Sequence, residues 1–190
     1  MNLVKSYDYF QPEKCRSRIH IIGCGAVGST VAENLVRMGL TRITLYDFDK
    51  VESKNIANQM FRECDIGKEK VDAVAEQLKL INPEIERELV IERNGYSDQK
   101  LDGYVILCVD NIDLRREIAT KNKTNPNIKA MFDFRRVFAQ GNQDCGFFSY
   151  GTVENWFFDA GSKVDGLFID EWLEQNLGFD LDRNTMEELL

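Results

Sequence analysis

The chain has 190 residues, 43% hydrophobic and 29% charged, enough for one well-cored domain with an appendage but short for two. A formal net charge of -8 argues against gripping a nucleic-acid backbone as a main task. Cys15, Cys24, Cys64, Cys108 and Cys145 form no C-x-x-C pair, which disfavours a disulfide framework and a zinc knuckle. The N-terminus has no charged-then-apolar leader and the chain no membrane-length apolar run, so the expectation is a reducing cytoplasm without a membrane partner.

In chain order, residues 1–17 are polar apart from Tyr7, Tyr9 and Phe10 and read as an N-terminal arm. Residues 18–22 form a short apolar strand. A helix over 27–38 follows, with Val27, Val31, Leu35 and Met38 at helical spacing and Gly39 as its stop. A second strand covers 42–46, and a polar loop runs over 47–58. The next helix spans 67–80 through Val71, Val74, Ala75 and Leu78 and ends at Asn82-Pro83. Strands are predicted at 85–91, 104–109 and 128–133, with a helix at 113–120 between the last two. The alternation predicts an α/β, Rossmann-like, doubly wound and mostly parallel sheet. Glycines and aromatics from Val137 onward predict antiparallel strands at 137–139 and 145–150 that extend it. Residues 151–190, acidic and carrying Trp156 and Trp172, read as a helical tail. The division is therefore arm 1–17, nucleotide domain 18–150 and tail 151–190.

The first strand runs into Gly23-Cys24-Gly25-Ala26-Val27-Gly28, a Gly-x-Gly-x-x-Gly turn that opens a helix. Gly23 permits the tight turn, Gly25 lets backbone approach a phosphate, and Gly28 lets the helix pack close to the strand. Unpaired N–H groups and the helix dipole favour an anion there. Asp47 ends the next strand about twenty residues on, where a ribose hydroxyl is held in this architecture. The chain is thus expected to bind an adenine nucleotide. The half-site by itself serves NAD and ATP proteins alike.

The stretch Asp47-Phe48-Asp49-Lys50-Val51-Glu52, followed by Asn55-Ile56-Ala57-Asn58-Gln59, resembles the ThiF/MoeB/HesA family, related to ubiquitin-activating enzymes. The resemblance continues through Asp65-Ile66-Gly67-Lys68-Glu69-Lys70 and Asp110-Asn111-Ile112-Asp113-Leu114-Arg115, and covers roughly residues 18–150. It implies ATP-dependent adenylation of the C-terminal glycine carboxylate of a small ubiquitin-like or sulfur-carrier protein ending in Gly-Gly. A homodimer is implied as well.

By the same resemblance, Gly23, Gly25, Ala26, Gly28, Asp47, Asp49, Asn58 and Asn111 bind the nucleotide. Asn55 and Gln59 offer amides near the triphosphate, and Lys70 reaches in as a point charge. Asp110, at the end of a buried strand, holds Mg²⁺, the one metal expected. The bland readings are that Asn55 and Gln59 satisfy loop backbone, that Lys70 is a solvated lysine paired with a carboxylate, and that Asp110 caps a helix.

The chain departs from the family pattern at Asn58, where the family carries an arginine, and at Ser6-Tyr7-Asp8-Tyr9, which lacks the arm arginine. Lys14, Arg16 and Arg18 lie near that arm. Cys145 or Cys64 is either a thioester nucleophile or a structural thiol. His20 is expected in a core role. Arg115 and Arg135-Arg136 face a carboxylate partner or are ordinary surface charges. The alternatives to adenylation are an NAD-dependent oxidoreductase and a catalytically weak nucleotide-binding scaffold that recognises a ubiquitin-like tail.

Overall fold

The computed structural model describes residues 2–5, 7, 10–136 and 143–149, from residue 134 onward as backbone alone. Six strands form one sheet in the order β3-β2-β1-β4-β5-β6. They are β1 (Ile19–Ile22), β2 (Ile43–Tyr46), β3 (Val90–Glu92), β4 (Gly103–Leu107), β5 (Ile128–Arg136) and β6 (Gln143–Ser149). All pairings are parallel except β5 with β6. Strand order reverses between β1 and β4, so a crevice opens at their carboxyl ends, the topological switch point of such sheets.

Helices cover both faces because β1 is apolar on both of its sides. Ile21 points into a cluster with Ile43, Leu45, Ala32 and Val36 of α1 (Ala26–Arg37), and Val74 and Leu78 of α2 (Lys70–Ile81). Ile22 points the other way, toward Val105, Leu107 and Ile118 of α3 (Ile112–Asn122). A strand buried on both faces reads as a near-continuous apolar run, unbroken at 104–109 and interrupted only by His20 within Ile19–Ile22.

The C-terminal stop of α1 is a Schellman motif. Gly39 takes φ +89°, its N–H donates to Val36 O (2.9 Å), and Leu40 N–H donates to Leu35 O (3.1 Å). Leu3 and Pro12 lie against Gly39, and Phe10 packs on the α1/α2 core.

Several boundaries differ from the sequence reading, β4 among them, which spans Gly103–Leu107 rather than 104–109. Residues 67–69 are held against 50–51, with Gly67 N–H donating to Val51 O and Glu69 bridging Lys50, so α2 begins at Lys70. Pro83–Arg87 is a 3-10 turn capped by Asn82, which accepts from Glu84 N–H, because the proline pre-sets a helical φ. The strand expected at 85–91 is therefore confined to Val90–Glu92. Helix α3 extends from Ile112 to Asn122, beyond 113–120 at both ends. Strand β5 runs on past Asp133 to Arg136 and is itself the partner of antiparallel β6. The expected strand at 137–139 and the helical tail at 151–190 lie outside the described residues.

Candidate nucleotide-binding site

The glycine turn connects β1 to α1 at the switch point. Gly23 adopts φ +98°, and a Cβ there would stand 2.8 Å from Cys108 C and Val109 N. At Gly28 a Cβ would stand 1.8 Å from Gly23 O. Neither position admits a side chain. Gly25 is different: its Cβ would meet only Gln59 Oε1, at 3.9 Å. It caps α1 without any side-chain bond, so the N–H groups of the first turn, Ala26 among them, face the crevice without intrahelical acceptors.

Asp47 is tied into this turn. Cys24 N–H donates to its Oδ2 at 2.7 Å and Asp49 N–H to its Oδ1 at 2.8 Å. Burial pushes the carboxyl above the usual carboxylate range, against the pull of those two N–H bonds. Each oxygen retains a second lone pair, which leaves Asp47 able to accept from a hydroxyl.

The polar stretch after β2 is a pinned excursion. Lys70 N–H donates to Asp49 O (2.9 Å), Val51 N–H to Lys68 O (2.8 Å), and Gly67 N–H to Val51 O (2.9 Å). These bonds bring its two ends together. Val51 and Phe61 are buried, and so is the Asp65 carboxylate. Burial would raise the Asp65 pKa, but the Arg62 N–H and the Lys68 and Arg62 side chains outweigh it and hold the group low. Asp65 is an anchor that motif reading passed over, and its bracket of basic residues at 62 and 68 was the available signal.

Within this excursion the two amides part company. Asn55 is buried, and its Oδ1 accepts from Glu52 N–H at 2.9 Å, so it does satisfy loop backbone. Gln59 does not behave this way with its oxygen: Oε1 is buried without a hydrogen-bond partner and faces Gly25. Asn58 is exposed, its backbone N–H donating to Asn55 O. Lys70 is 8% exposed and its Nζ donates to Asp49 Oδ2 at 2.7 Å. It is paired, as the bland reading had it, yet buried rather than solvated.

On the other side of the switch point, Asp110 follows β4 and is exposed. Among the described residues its carboxylate has no hydrogen bond or ion pair. It does not cap α3. That role falls to Asn111, whose Oδ1 accepts from Leu114 N–H at 3.0 Å. Asp110 is thus an exposed carboxylate in the loop behind β4, unbonded among the described residues. No cluster of three or more metal-ligating side chains exists among the described residues. One carboxylate completed by phosphate oxygens and water is how Mg²⁺ is commonly held beside a nucleotide, so the donor set fits that ion.

Arg115 neither faces a partner nor lies on the surface. It is 4% exposed and pairs with Asp133, itself 2% exposed. The pairing was illegible because Asp133 reaches Arg115 only through the register that sets it opposite Leu107. Arg16 and Arg18 stand at the amino end of β1, where Arg18 donates to Ile43 O and Glu88 O, on the side of the sheet away from the crevice. His20 is buried between the Tyr46 hydroxyl (2.8 Å) and Asp102 (2.9 Å), a core role as expected. Cys24 is buried, its thiol pushed up by burial, and burial pushes Cys108 to about 12. Cys64 is exposed. The side chains of Cys145, Arg135 and Arg136 lie outside the described residues.

A doubly wound sheet with a glycine turn at the switch point and an acid closing β2 defines a Rossmann-like nucleotide-binding protein. The model of the ThiF family matches residues 8–132, and the chain belongs to that family. The match gives no support to an NAD-dependent oxidoreductase. Ubiquitin-like modifier-activating enzyme 5 of Drosophila mojavensis is 32% identical over 148 residues, covering 67% of this chain and 35% of the relative. The Drosophila ananassae protein of the same name is 31% identical over the same length. The chain thus spans about a third of the length of these relatives. Two solved structures share the fold at 24% identity and TM-score 0.57: E. coli MccB with ATP, and the E. coli tRNA N6-threonylcarbamoyladenosine dehydratase TcdA. They cover 66% and 68% of this chain, and it covers 39% and 57% of theirs. No helix among the described residues is long and apolar enough to cross a membrane.

Proposed function

We propose that this chain binds ATP with Mg²⁺ and adenylates the C-terminal glycine carboxylate of a small ubiquitin-like or sulfur-carrier protein. The observation that carries the reading is the closure of the 47–70 excursion onto the glycine turn, which brings Gln59 against Gly25. The unbonded Gln59 Oε1 has no use beside an anion. Turned over, the same amide presents Nε2, a donor that a phosphate oxygen accepts. Family membership supports the same chemistry. So do the names of the relatives, the MccB structure with AMPCPP and MccA, and the TcdA structure with AMP.

The residues divide the task as follows. The first turn of α1, including Ala26, holds phosphate through backbone N–H groups, and Asp47 accepts from a ribose hydroxyl. Lys70, held by Asp49, places a positive charge beside the crevice, and Asn55 fixes the loop that carries Gln59 and Asn58. Asp110 and phosphate oxygens would hold Mg²⁺, which supplies charge neutralisation as pyrophosphate departs. In the reaction a carboxylate oxygen of the partner forms a bond to the α-phosphorus. The bond from that phosphorus to the α,β-bridging oxygen breaks, and pyrophosphate leaves with the electron pair. No proton need move, so catalysis is alignment and electrostatics.

Asn58 favours a second reading, a slow or inactive nucleotide-binding scaffold, because a neutral amide stands where the family carries a cation. One experiment separates the two. ATP–pyrophosphate exchange is measured with the full chain, Mg²⁺ and a panel of ubiquitin-like and sulfur-carrier proteins ending in Gly-Gly. Exchange that requires such a partner and Mg²⁺ establishes adenylation. Mg²⁺-dependent ATP binding without exchange, rescued in Asn58→Arg, establishes the scaffold. Sedimentation of the same preparation tests the homodimer.

A further inference from the structure

The segment 107–109 is a wall shared by the two halves of the site. On one side it meets the glycine turn: Cys108 N–H donates to Ile22 O at 2.7 Å, and Gly23 packs directly on Cys108 and Val109 backbone. On the other side it meets Arg115. The Arg115 guanidinium donates from Nε to Val109 O (2.5 Å) and from Nη1 to Leu107 O (3.4 Å). It also pairs with Asp133 on β5. One rigid fork therefore joins the end of β4, the loop behind it and the neighbouring strand. Asp110 is the next residue along that loop and has no bond of its own to fix it among the described residues. A buried charge is held at such a place only when it is paired, and the groups that hold Arg115 include two carbonyls of the segment that shapes the site.

We propose that the Arg115–Asp133 pair is a positioning device. It sets where the Asp110 carboxylate stands and stiffens the wall under the glycine turn. Neither residue touches substrate. Arginine is needed for its planar fork, because a lysine ammonium at this depth cannot span the Val109 and Leu107 carbonyls and the Asp133 carboxylate together. The part of the proposal that concerns Mg²⁺ rests on the ATP·Mg²⁺ reading above; the part that concerns the wall does not.

The test uses the full chain as Arg115→Lys and as the double variant Arg115→Met/Asp133→Leu. The double variant removes both buried charges at once, an exchange that buried pairs commonly tolerate, so it carries the test even where the lysine variant folds poorly. Amide hydrogen exchange in the nucleotide-free protein is the first readout. Peptides spanning 107–111 should exchange about tenfold faster in both variants, while those over β2 and α2 stay unchanged. The second readout is the Mg²⁺ concentration that half-saturates ATP binding, which should rise about tenfold, as when a supporting contact behind a metal ligand is lost. Exchange that is unchanged, or raised evenly along the chain, overturns the proposal. A wild-type protein that ignores ATP·Mg²⁺ while its variants show the localised exchange would sink the adenylation reading and leave the positioning role intact.

Discussion

The two sides of the switch point are built on opposite plans. On the β1–β2 side most polar groups of the site are tied down, the Gln59 oxygen excepted. Asp47 accepts two backbone N–H groups, Asn55 accepts one, Lys70 is paired with Asp49, and Asp65 is held between Arg62 and Lys68 within the excursion. On the β4–β5 side the ties belong to Arg115 and Asp133, while Asp110 itself is left open. The contrast is what the proposed ATP·Mg²⁺ site would require of each side. Phosphate and ribose are recognised by preformed donors and acceptors at fixed positions. A metal ion needs a carboxylate whose lone pairs are unspent.

The largest effect should come from the turn common to both sides. Gly28→Ala forces a Cβ onto Gly23 O and should cost about 3 kcal/mol or more, or abolish folding, as read in a urea titration. Gly25→Ala meets open space apart from Gln59. It should change stability by less than about 1 kcal/mol and still abolish ATP binding in calorimetry. Equal stability losses in the two variants would break the distinction between a packing glycine and an approach glycine.

Asp110→Asn comes next. It should lower ATP–pyrophosphate exchange about a hundredfold, the scale of one lost electrostatic contact, with a melting curve that overlays the wild type because the side chain supports nothing else. A large drop in melting temperature would show that Asp110 is a structural residue after all.

Lys70→Met probes the tied side. Losing a lysine that is nearly buried, opposite a half-exposed Asp49, should cost about 2 kcal/mol, between the exposed-pair and buried-pair scales. Nucleotide affinity should fall with stability, in contrast to Asp110, where the two separate. If Lys70→Met keeps full stability, the pair is no anchor.

The smallest effect should lie at the amino end of the sheet, away from the crevice. Burial pulls the His20 pKa down, while the Asp102 carboxylate opposes the shift. The unfolded chain therefore binds more protons at this residue, so the stability is complete above its ordinary value of about 6.5 and is lost as pH falls through the folded value. Melting temperature should decline slightly from about pH 6.5 to 5, before most carboxylates titrate. His20→Gln should flatten that decline. A flat wild-type profile over the window would refute the linkage.

How much was legible divides along the same line as the chemistry. Local rules settled the glycine turn, the α1 stop at Gly39, the acid after β2 and the apolar strands, because each depends on neighbours within a few residues. The same rules misplaced the start of α2 and the third strand. There Gly67 and Pro83 shape turns whose extent depends on long-range bonds, such as Gly67 N–H to Val51 O. They also assigned Asp110 and Asn111 without telling which one caps α3.

By itself the sequence determined the class of fold, the family resemblance and the identities of Asp47, Asn55, Gln59, Lys70 and Asp110 as the residues to watch. The fold class follows from short-range periodicity, and the site residues from the family resemblance that the ordered motifs carry. Only the tertiary structure decided which of these side chains are already spent on the protein and which remain open. It also paired Arg115 with Asp133, eighteen residues apart, and set Gln59 against Gly25. Such pairings are made by strand register and loop closure, which bring together groups that no local pattern connects.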